Sequence, residues 1–442
     1  MLLHSLFAKS ITKQSMFPYK QALSIKQRNS FISIKHFQLQ VKYQFSTIEN
    51  EKNFKPSTET PKSSDSFKPN IKDGIPNPVH DLVKPGKEKI IGSWLLFTAF
   101  AVFGMIVLGG YTRLSKSGLS MTKWKPIDYK LPQNDEEWQK EFENYKKYPE
   151  FLLANRNMAL NEFKKIFFVE WIHRFYGSSL GFIFGIPLLT FTVLGWLKPK
   201  QLIRLSGLLC LGGLQGLIGW WMVKSGLDKK PEYQNRPRVS VYRLQVHLGM
   251  GTLLYSGLLW NALNLLRKPQ EHILNAQSIH STLKLRSLLI GLIHVIALNI
   301  ISGATVAGLD AGKGYNTWPD MDGQFIPKEA FNKNSLIQNI FENKALVQFN
   351  HRMLAYLTTS WTIYTLYQST NMILLKHQNL GLYLVGFLVF YQVYLGINTL
   401  LKGAPLKESS QHQANALLTL SAALYTLHCC RKPNALFLRN FK

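Results

Sequence analysis

Cysteine is scarce. Only Cys210, Cys429 and Cys430 occur in 442 residues. All three lie in or beside apolar runs, and none has the spacing of a metal site, which argues against a disulfide framework. The loops that lead out of the apolar runs on the side of the longer connections hold no cysteine, so a disulfide there is excluded. Acidic residues are scarce as well: 25 Asp and Glu stand against 52 Lys and Arg, a formal charge of +27. Charged residues of both signs reach only 17%, against about 25% in ordinary soluble domains. A chain of this length could make two or three soluble domains, but the scarcity of charge argues against that. The basic excess does not point to nucleic acid, because no recognised nucleic-acid motif surrounds it. The bases fall in the N-terminal segment, in loops and at the C-terminus, the pattern of basic loops flanking apolar spans.

What is present is apolar residue, 46% of the chain, gathered into long runs. A helix needs about 20 mostly apolar residues to cross hydrocarbon. Eight runs qualify: 91–111, 168–194, 202–223, 241–266, 286–308, 346–368, 380–401 and 411–430. The expected fold is therefore an all-α polytopic membrane protein with eight transmembrane helices. Even-numbered spans all enter from one face, so the connections 112–165, 224–240, 309–345 and 402–410 share a side. Within the first, residues 134–165 read as one short surface helix. Lys and Arg fall on both sides and leave the orientation open.

The N-terminus carries an address. Residues 1–48 hold Lys9, Lys13, Lys20, Lys26, Arg28, Lys35 and Lys42, and the first acidic residue is Glu49. Basic, Ser-containing and acid-poor, this is the composition of a mitochondrial transit peptide. Residues 49–89 read as a polar linker. The remaining divisions are 90–266, a connecting loop at 267–284, 285–430, and a basic tail at 431–442.

The two large segments resemble each other as tandem four-helix bundles. Gly110-Tyr111-Thr112 followed by Trp124 matches Gly303-Ala304-Thr305 followed by Trp318. Glu170-Trp171-Ile172-His173-Arg174 matches Gln348-Phe349-Asn350-His351-Arg352. Gln215 and Gly219 match Gln392 and Gly396, and His247 matches His412. Four correspondences in the same order predict an internal duplication with parallel repeats.

Each even-numbered span carries a histidine within about two turns of its start, so His173, His247, His351 and His412 lie at similar depth. A histidine in hydrocarbon is costly and takes a partner. Heme iron accepts neutral imidazole, and two facing helices can offer one nitrogen each. Four residues after each histidine stands a small residue, Gly177, Gly251, Ala355 or Ala416, on the same helix face. That spacing leaves room for a flat macrocycle, although small residues are also common where membrane helices pack. Arg174, Arg352 and Arg243 flank these histidines and suit heme propionates or, equally, snorkel to water. His294 has no counterpart in the repeat and reads as a satisfied core histidine.

One difference separates the halves. Glu170 lies three residues before His173, whereas Gln348 holds that place before His351. A carboxylate within a membrane is a functional candidate. It marks one heme as substrate and the other as a fixed electron carrier, unless Glu170 is paired structurally.

These segments resemble the heme A synthase family, in its mitochondrial branch. The resemblance rests on Gly109 through Ser115, Ser117-Gly118-Leu119-Ser120-Met121, Glu170 through Arg174, Gly303 through Asp310, Asn316-Thr317-Trp318-Pro319 and Asn350-His351-Arg352, and spans roughly 90–430. It implies oxidation of one ring methyl of heme O to a formyl group by successive hydroxylations, giving heme A for cytochrome c oxidase. It implies that His173 and His247 hold the heme O iron with Glu170 as the catalytic carboxylate, and that His351 and His412 hold a resident heme b. Arg174 and Arg243 are then candidate propionate partners in the first half, and Arg352 in the second. The resemblance further implies a homo-oligomer in the mitochondrial inner membrane, served by heme O synthase and a ferredoxin-type electron donor. Many bacterial members carry a cysteine pair in the first outer loop; this chain has none there. A diheme electron-transfer cytochrome is the alternative. A repeat-built transporter would need matched broken helices, which the sequence does not offer.

Overall fold

A computed structural model describes residues 81–123, 130–228, 237–267 and 276–431. The predicted transit peptide, most of the linker and residues 432–442 lie outside them. Every extended element among the described residues is helical, and strand pairing is limited to the isolated bridges Val83–Leu197 and Met321–Gln324. Eight helices are long: α1 (Glu88–Leu114), α4 (Leu160–Val193), α5 (Pro199–Leu227), α6 (Val241–Leu266), α7 (Ala276–Gly308), α9 (Lys344–Ser369), α10 (Lys376–Leu401) and α11 (Leu406–Cys429). Three are short: α2 (Asp135–Lys146), α3 (Pro149–Ala154) and α8 (Leu336–Glu342).

Length and composition explain which of these cross a membrane. The shortest long helix has 24 residues, and at about 1.5 Å per residue it exceeds the roughly 30 Å of bilayer hydrocarbon. Five of the eight, α1, α4, α5, α7 and α10, also carry an apolar window with few charges. The chain is a multi-pass membrane protein. The other three, α6, α9 and α11, are long but more polar, and each carries one of the four histidines. Part of their polarity is turned inward: Gln348 and Asn415 are 3% and 4% exposed. Conversely, only 11% and 6% of the α4 and α5 windows are buried within the protein, which leaves their apolar side chains to lipid.

Local chemistry sets the ends. Gly195 (φ 63°) follows α4 and Gly403 (φ 74°) follows α10, the left-handed position that stops a helix. Pro199 opens α5 at its first turn. Asn343 caps α9 by accepting from the amides of Ala345 and Leu346. The helices overrun the apolar runs at most ends; α7 starts at Ala276, within the segment read as a loop. The single surface helix expected over 134–165 is two helices, because Pro149 cannot continue α2, and α4 already starts at Leu160.

The long helices pack in two cycles. In the first, α1 contacts α4, α4 contacts α5, α5 contacts α6, and α6 closes on α1. In the second, α7, α9, α10 and α11 repeat that order, with α11 closing on α7. The cycles meet through α1, α6, α7 and α11. Tyr255 Oη and Ser421 Oγ, 2.6 Å apart, join α6 to α11, and Arg113 donates to the Gly308 carbonyl at 2.8 Å. The long connections after α1 and α7 lie on the same side, the outer one, and the second is tied to the first cycle where Tyr242 of α6 donates to Glu342 of α8 at 2.9 Å. Over α4 the first connection forms an aromatic cluster, with Tyr145 and Phe163 ring centroids 5.1 Å apart and Trp138 edge-on to Phe167 at 5.3 Å.

Candidate functional site

All four histidines lie beneath the outer layer, and each rests on a glycine of the preceding long helix. A Cβ added at Gly109 of α1 would lie 3.1 Å from the His173 ring, at Gly219 of α5 3.3 Å from His247, at Gly303 of α7 3.4 Å from His351, and at Gly396 of α10 3.0 Å from His412. At Gly109, Gly219 and Gly396 that contact is tight enough that even alanine would press on the ring, whereas at Gly303 it is ordinary van der Waals contact. Gly110 serves the neighbouring bundle in the same way: it admits Gln413 of α11, whose Nε2 donates to the Ile106 carbonyl at 3.0 Å. The small residues one turn beyond the histidines also have protein neighbours. Gly177 faces Met105 and Gly251 faces Ile106, both on α1.

In the second cycle the His351 and His412 ring centroids are 6.3 Å apart with the planes at 81°. In the first, His173 lies within electrostatic range of His247. The outer partners differ. The Gln215 amide reaches the carbonyl oxygen and Nδ1 of His247, each at 3.1 Å. Gln392 Nε2 donates to the His412 carbonyl at 3.1 Å and lies 3.4 Å from His412 Nε2, while Asn415 donates to Gln392 at 2.8 Å. Ser302 Oγ lies 3.2 Å from His351 Nδ1. Nδ1 of His173 and of His412 is buried without a hydrogen-bond partner.

The residues fit a bis-imidazole heme site. Two buried ring nitrogens lack partners, the glycines leave room beside the rings, and the donors are the neutral imidazoles that heme iron takes. Allowing about 2 Å per metal–nitrogen bond and roughly 1 Å from nitrogen to ring centre, two imidazoles on one iron need about 6 Å between centroids. The 6.3 Å of His351 and His412 meets that requirement.

Glu170 and Gln348 are the buckles of the outer layer. Glu170 is 2% exposed. One carboxylate oxygen accepts from Ser120 Oγ at 2.7 Å and from the Met121 amide at 2.8 Å, and the other accepts from Arg174. Arg174 also donates to the carbonyls of Met121 and Lys123, each at 2.9 Å. In the second half, Gln348 donates to the carbonyls of Ala311 and Gly314 at 3.2 and 2.7 Å, and Arg352 to those of Asp320, Tyr315 and Thr317 at 2.7, 2.8 and 3.0 Å. Both arginines therefore grip the loop ahead of their own helix. Arg243 donates to the Trp221 carbonyl at 2.6 Å and lies 4.4 Å over that indole. Arg174 also lines a cavity of about 210 Å³ with Lys123, Lys224 and Trp220, a cationic mouth between α4 and α5.

Other residues fall elsewhere. His294 bonds to the Ile290 carbonyl of its own helix at 2.7 Å and is exposed, so its helix, not the core, satisfies it. His428 is buried against Asn264, at 3.1 Å, and Trp260. Sequence reasoning passed over Ser302 of α7 and Glu150 of α3; one serine in an apolar run and one glutamate in an outer connection carry no periodic signal.

The fold and this site define a helical membrane protein with two pairs of half-buried histidines, each under a loop clamp. Residues 92–424 match the family COX15-CtaA, cytochrome oxidase assembly protein, and the chain belongs to that family. It is 41% identical to the Arabidopsis thaliana protein Heme A synthase COX15, covering 80% of this chain and 78% of that one. It is 39% identical to Heme A synthase COX15 of Saccharomyces cerevisiae, covering 84% and 81%. A bacterial relative, Heme A synthase of Parvibaculum lavamentivorans, is 39% identical, covering 76% of this chain and 93% of its own.

Proposed function

We propose that the chain is a heme A synthase, an oxidoreductase that converts heme O to heme A for cytochrome c oxidase. One observation carries the reading beyond family membership: each of the four histidines is seated on a glycine of the preceding long helix, in the same order in both halves. The same order, and the same cyclic packing, support a duplicated four-helix unit whose eight long helices all cross the bilayer. The mitochondrial inner membrane is the proposed location, supported by the N-terminal composition and the eukaryotic relatives.

The division of labour follows the asymmetry between halves. His173 and His247 take the substrate heme O, and His351 and His412 a resident heme b. Bound there, the hemes supply the redox-active iron. The chain supplies the rest. Gly109, Gly219, Gly303 and Gly396 fix the depth of the rings. Arg174, Lys123 and Lys224 offer cations to propionate carboxylates at the outer mouth, where low dielectric strengthens such bonds. Arg352 and Gln348 hold the second loop, and Glu170 with Arg174 the first, which keeps outer water from the imidazoles. Arg243, held over Trp221, closes the α5–α6 corner. A ferredoxin-type donor, heme O synthase and further copies of this chain are the proposed partners. The test is heme extraction from cells that lack heme A formation and carry this chain. Heme A should appear with the intact sequence, while His173→Ala leaves heme O. Folded, heme-loaded protein that yields no heme A would overturn the reading.

A further inference from the structure

Three arginines converge at the end of the helices away from the histidines. Arg267 follows α6, Arg431 follows α11, and Arg286 lies in the early turns of α7. Arg267 Nη1 donates to Cys429 Sγ at 2.9 Å, and its guanidinium lies 4.9 Å over the Tyr425 ring. Arg286 Nη1 donates to the Cys430 carbonyl at 3.5 Å. Arg431 donates to Asn264 Oδ1 at 3.2 Å and to the Arg267 carbonyl at 3.3 Å. The consecutive residues 429, 430 and 431 thus gather all three guanidinium groups. His428 beside them is a neutral ring: Nε2 donates to Asn264 Oδ1 at 3.1 Å, which leaves Nδ1 as the acceptor facing Arg267 Nη1 at 3.4 Å.

No carboxylate matches these cations. None of the ion pairs among the described residues involves Arg267, Arg286 or Arg431. α6 and α7 contain no acidic residue, and none follows Glu408 in the chain. Of the helices packed on this end, α10 brings Lys376 and His377, and α1 brings one carboxylate, Glu88, in its first turn. By sequence the connection 268–275 adds one base and one acid, Lys268 and Glu271. Two helices end here, and their C-terminal dipoles together amount to about one negative charge. Three guanidinium charges exceed that by about two. Capping of helix ends therefore accounts for part of the cluster, and even with Glu88 counted in full a positive excess remains.

We propose that this cluster binds the phosphate headgroup of an anionic phospholipid, in the leaflet opposite the outer connections, and that the lipid clasps the two cycles together. At about 1.5 Å per residue, Arg267 and Arg431 lie roughly 38 Å along their helices from the outer ends. That carries them past the roughly 30 Å of hydrocarbon and into the headgroup zone. All three arginines are partly exposed. Ile290, one turn deeper on α7 than Arg286, is 38% exposed and offers a surface to an acyl chain. Guanidinium forks match phosphate oxygens in pairs, and basic pockets between membrane helices suit anionic headgroups. A phosphate held by all three bridges α6 of the first cycle to α7 and α11 of the second. The cluster lies about 30 Å from His247 and His412 along their helices, so the inference does not rest on the proposed function.

The experiment uses the full chain purified in detergent, with tetraoleoyl cardiolipin as the probe. Cardiolipin should raise the unfolding temperature and remain bound in native mass spectra. Dioleoyl phosphatidylcholine and millimolar inorganic phosphate should do neither. Arg267→Gln and Arg431→Gln should each weaken cardiolipin binding about 10- to 100-fold, the loss of a hydrogen-bonded charge. The triple variant R267Q/R286Q/R431Q should abolish it while circular dichroism and heme spectra stay native. Arg267→Lys, which keeps the charge without the fork, should fall between. Lys284→Gln removes an exposed base that pairs with Gln368 at 2.8 Å and should weaken binding less than about fivefold, the value of one base near an anionic surface. Four results overturn the inference: equal stabilisation by phosphatidylcholine, displacement of the lipid by inorganic phosphate, retention of cardiolipin by the triple variant, or equal damage from Lys284→Gln and Arg267→Gln. The first and second are read on the intact protein and stand even where a variant fails to fold.

Discussion

The glycine seats under the histidines give a graded test of the heme assignment. At Gly396 an added methyl would lie 3.0 Å from Cε1 of His412, and at Gly303 3.4 Å from Cε1 of His351. Carbon–carbon contacts are most favourable at about 3.5–4.0 Å. Gly396→Ala must therefore displace the His412 ring by roughly 0.5 Å, whereas Gly303→Ala asks for almost nothing. A ligand site tolerates misplacement of only about 0.5 Å, and overpacking a filled site costs about 1–3 kcal/mol. At about 1.4 kcal/mol per tenfold in affinity, the expected loss at the second-half heme is about 5- to 150-fold for Gly396→Ala and less than threefold for Gly303→Ala. Helix propensity works in the opposite direction, since alanine is better than glycine by about 1 kcal/mol in a helix interior; a loss of heme is then not a loss of helix. The assay is heme stoichiometry by pyridine hemochrome on purified protein, with the rate of heme transfer to apomyoglobin. If Gly396→Ala retains its second heme with native transfer kinetics, or if Gly303→Ala is equally damaging, these glycines are not ligand seats and the second-half assignment fails.

Further outcomes concern the loop clamps. Glu170→Gln breaks the buried pair with Arg174 and confronts the donors Ser120 and Met121 with an amide; about 3–5 kcal/mol of local stability should be lost, read as faster proteolysis within 115–135. The reverse change, Gln348→Glu, sets a carboxylate against the carbonyls of Ala311 and Gly314 and should cost about 1–3 kcal/mol, read by the same assay over 309–343. Equal resistance to protease in either variant would refute the clamp. Arg352→Lys removes a planar fork that reaches three carbonyls, and hydrogen exchange should rise at residues 314–322 while α9 itself stays protected.

The eight long helices were legible in the sequence because hydrocarbon demands runs of a fixed length, and the runs at 91–111 and 380–401 fall inside α1 and α10. Their ends were less legible. They depend on capping groups such as Asn343, Gly195 and Pro199, which lie outside the apolar windows. The single helix expected at 134–165 gave way at Pro149, where a local backbone rule outweighed an amphipathic pattern. Three of the four histidines sit on helices whose own composition is too polar for an apolar window, so position in the repeat identified them where hydropathy did not. Gly219 and Gly396 could be matched from the repeat, but their service as seats under His247 and His412 required coordinates. Arg174 and Arg352 show the limit most clearly. Adjacent to a histidine in sequence, each was a candidate for a propionate; that each also binds carbonyls of the loop ahead of it required coordinates. A residue and its neighbour in a helix point about 100° apart, and here that angle turns the arginine away from the ring.

The two clamps also bear on why one half and not the other should carry chemistry. Both tie an outer loop to the helix of the pair's first histidine, and both use an arginine on loop carbonyls. They differ in the residue beside that arginine. Gln348 donates two hydrogen bonds and brings no charge, so in the second clamp Arg352 is held by loop carbonyls and not by a carboxylate. Glu170 accepts from Ser120, Met121 and Arg174, so the first clamp contains a balanced pair of charges. Taking up or losing one charge nearby perturbs a balanced pair and leaves a neutral amide unaffected. The half with the ion pair is therefore the half in which proton movement can be felt by the structure. It is also the half whose outer layer buries a second carboxyl, Glu150, 7% exposed. Electron relay through a fixed heme needs a constant environment, and oxidation of a substrate needs an exchange of protons. On the proposed assignment, His351 and His412 lie under the clamp with an uncharged amide beside its arginine and His173 and His247 under the clamp with an ion pair, which fits that difference in need.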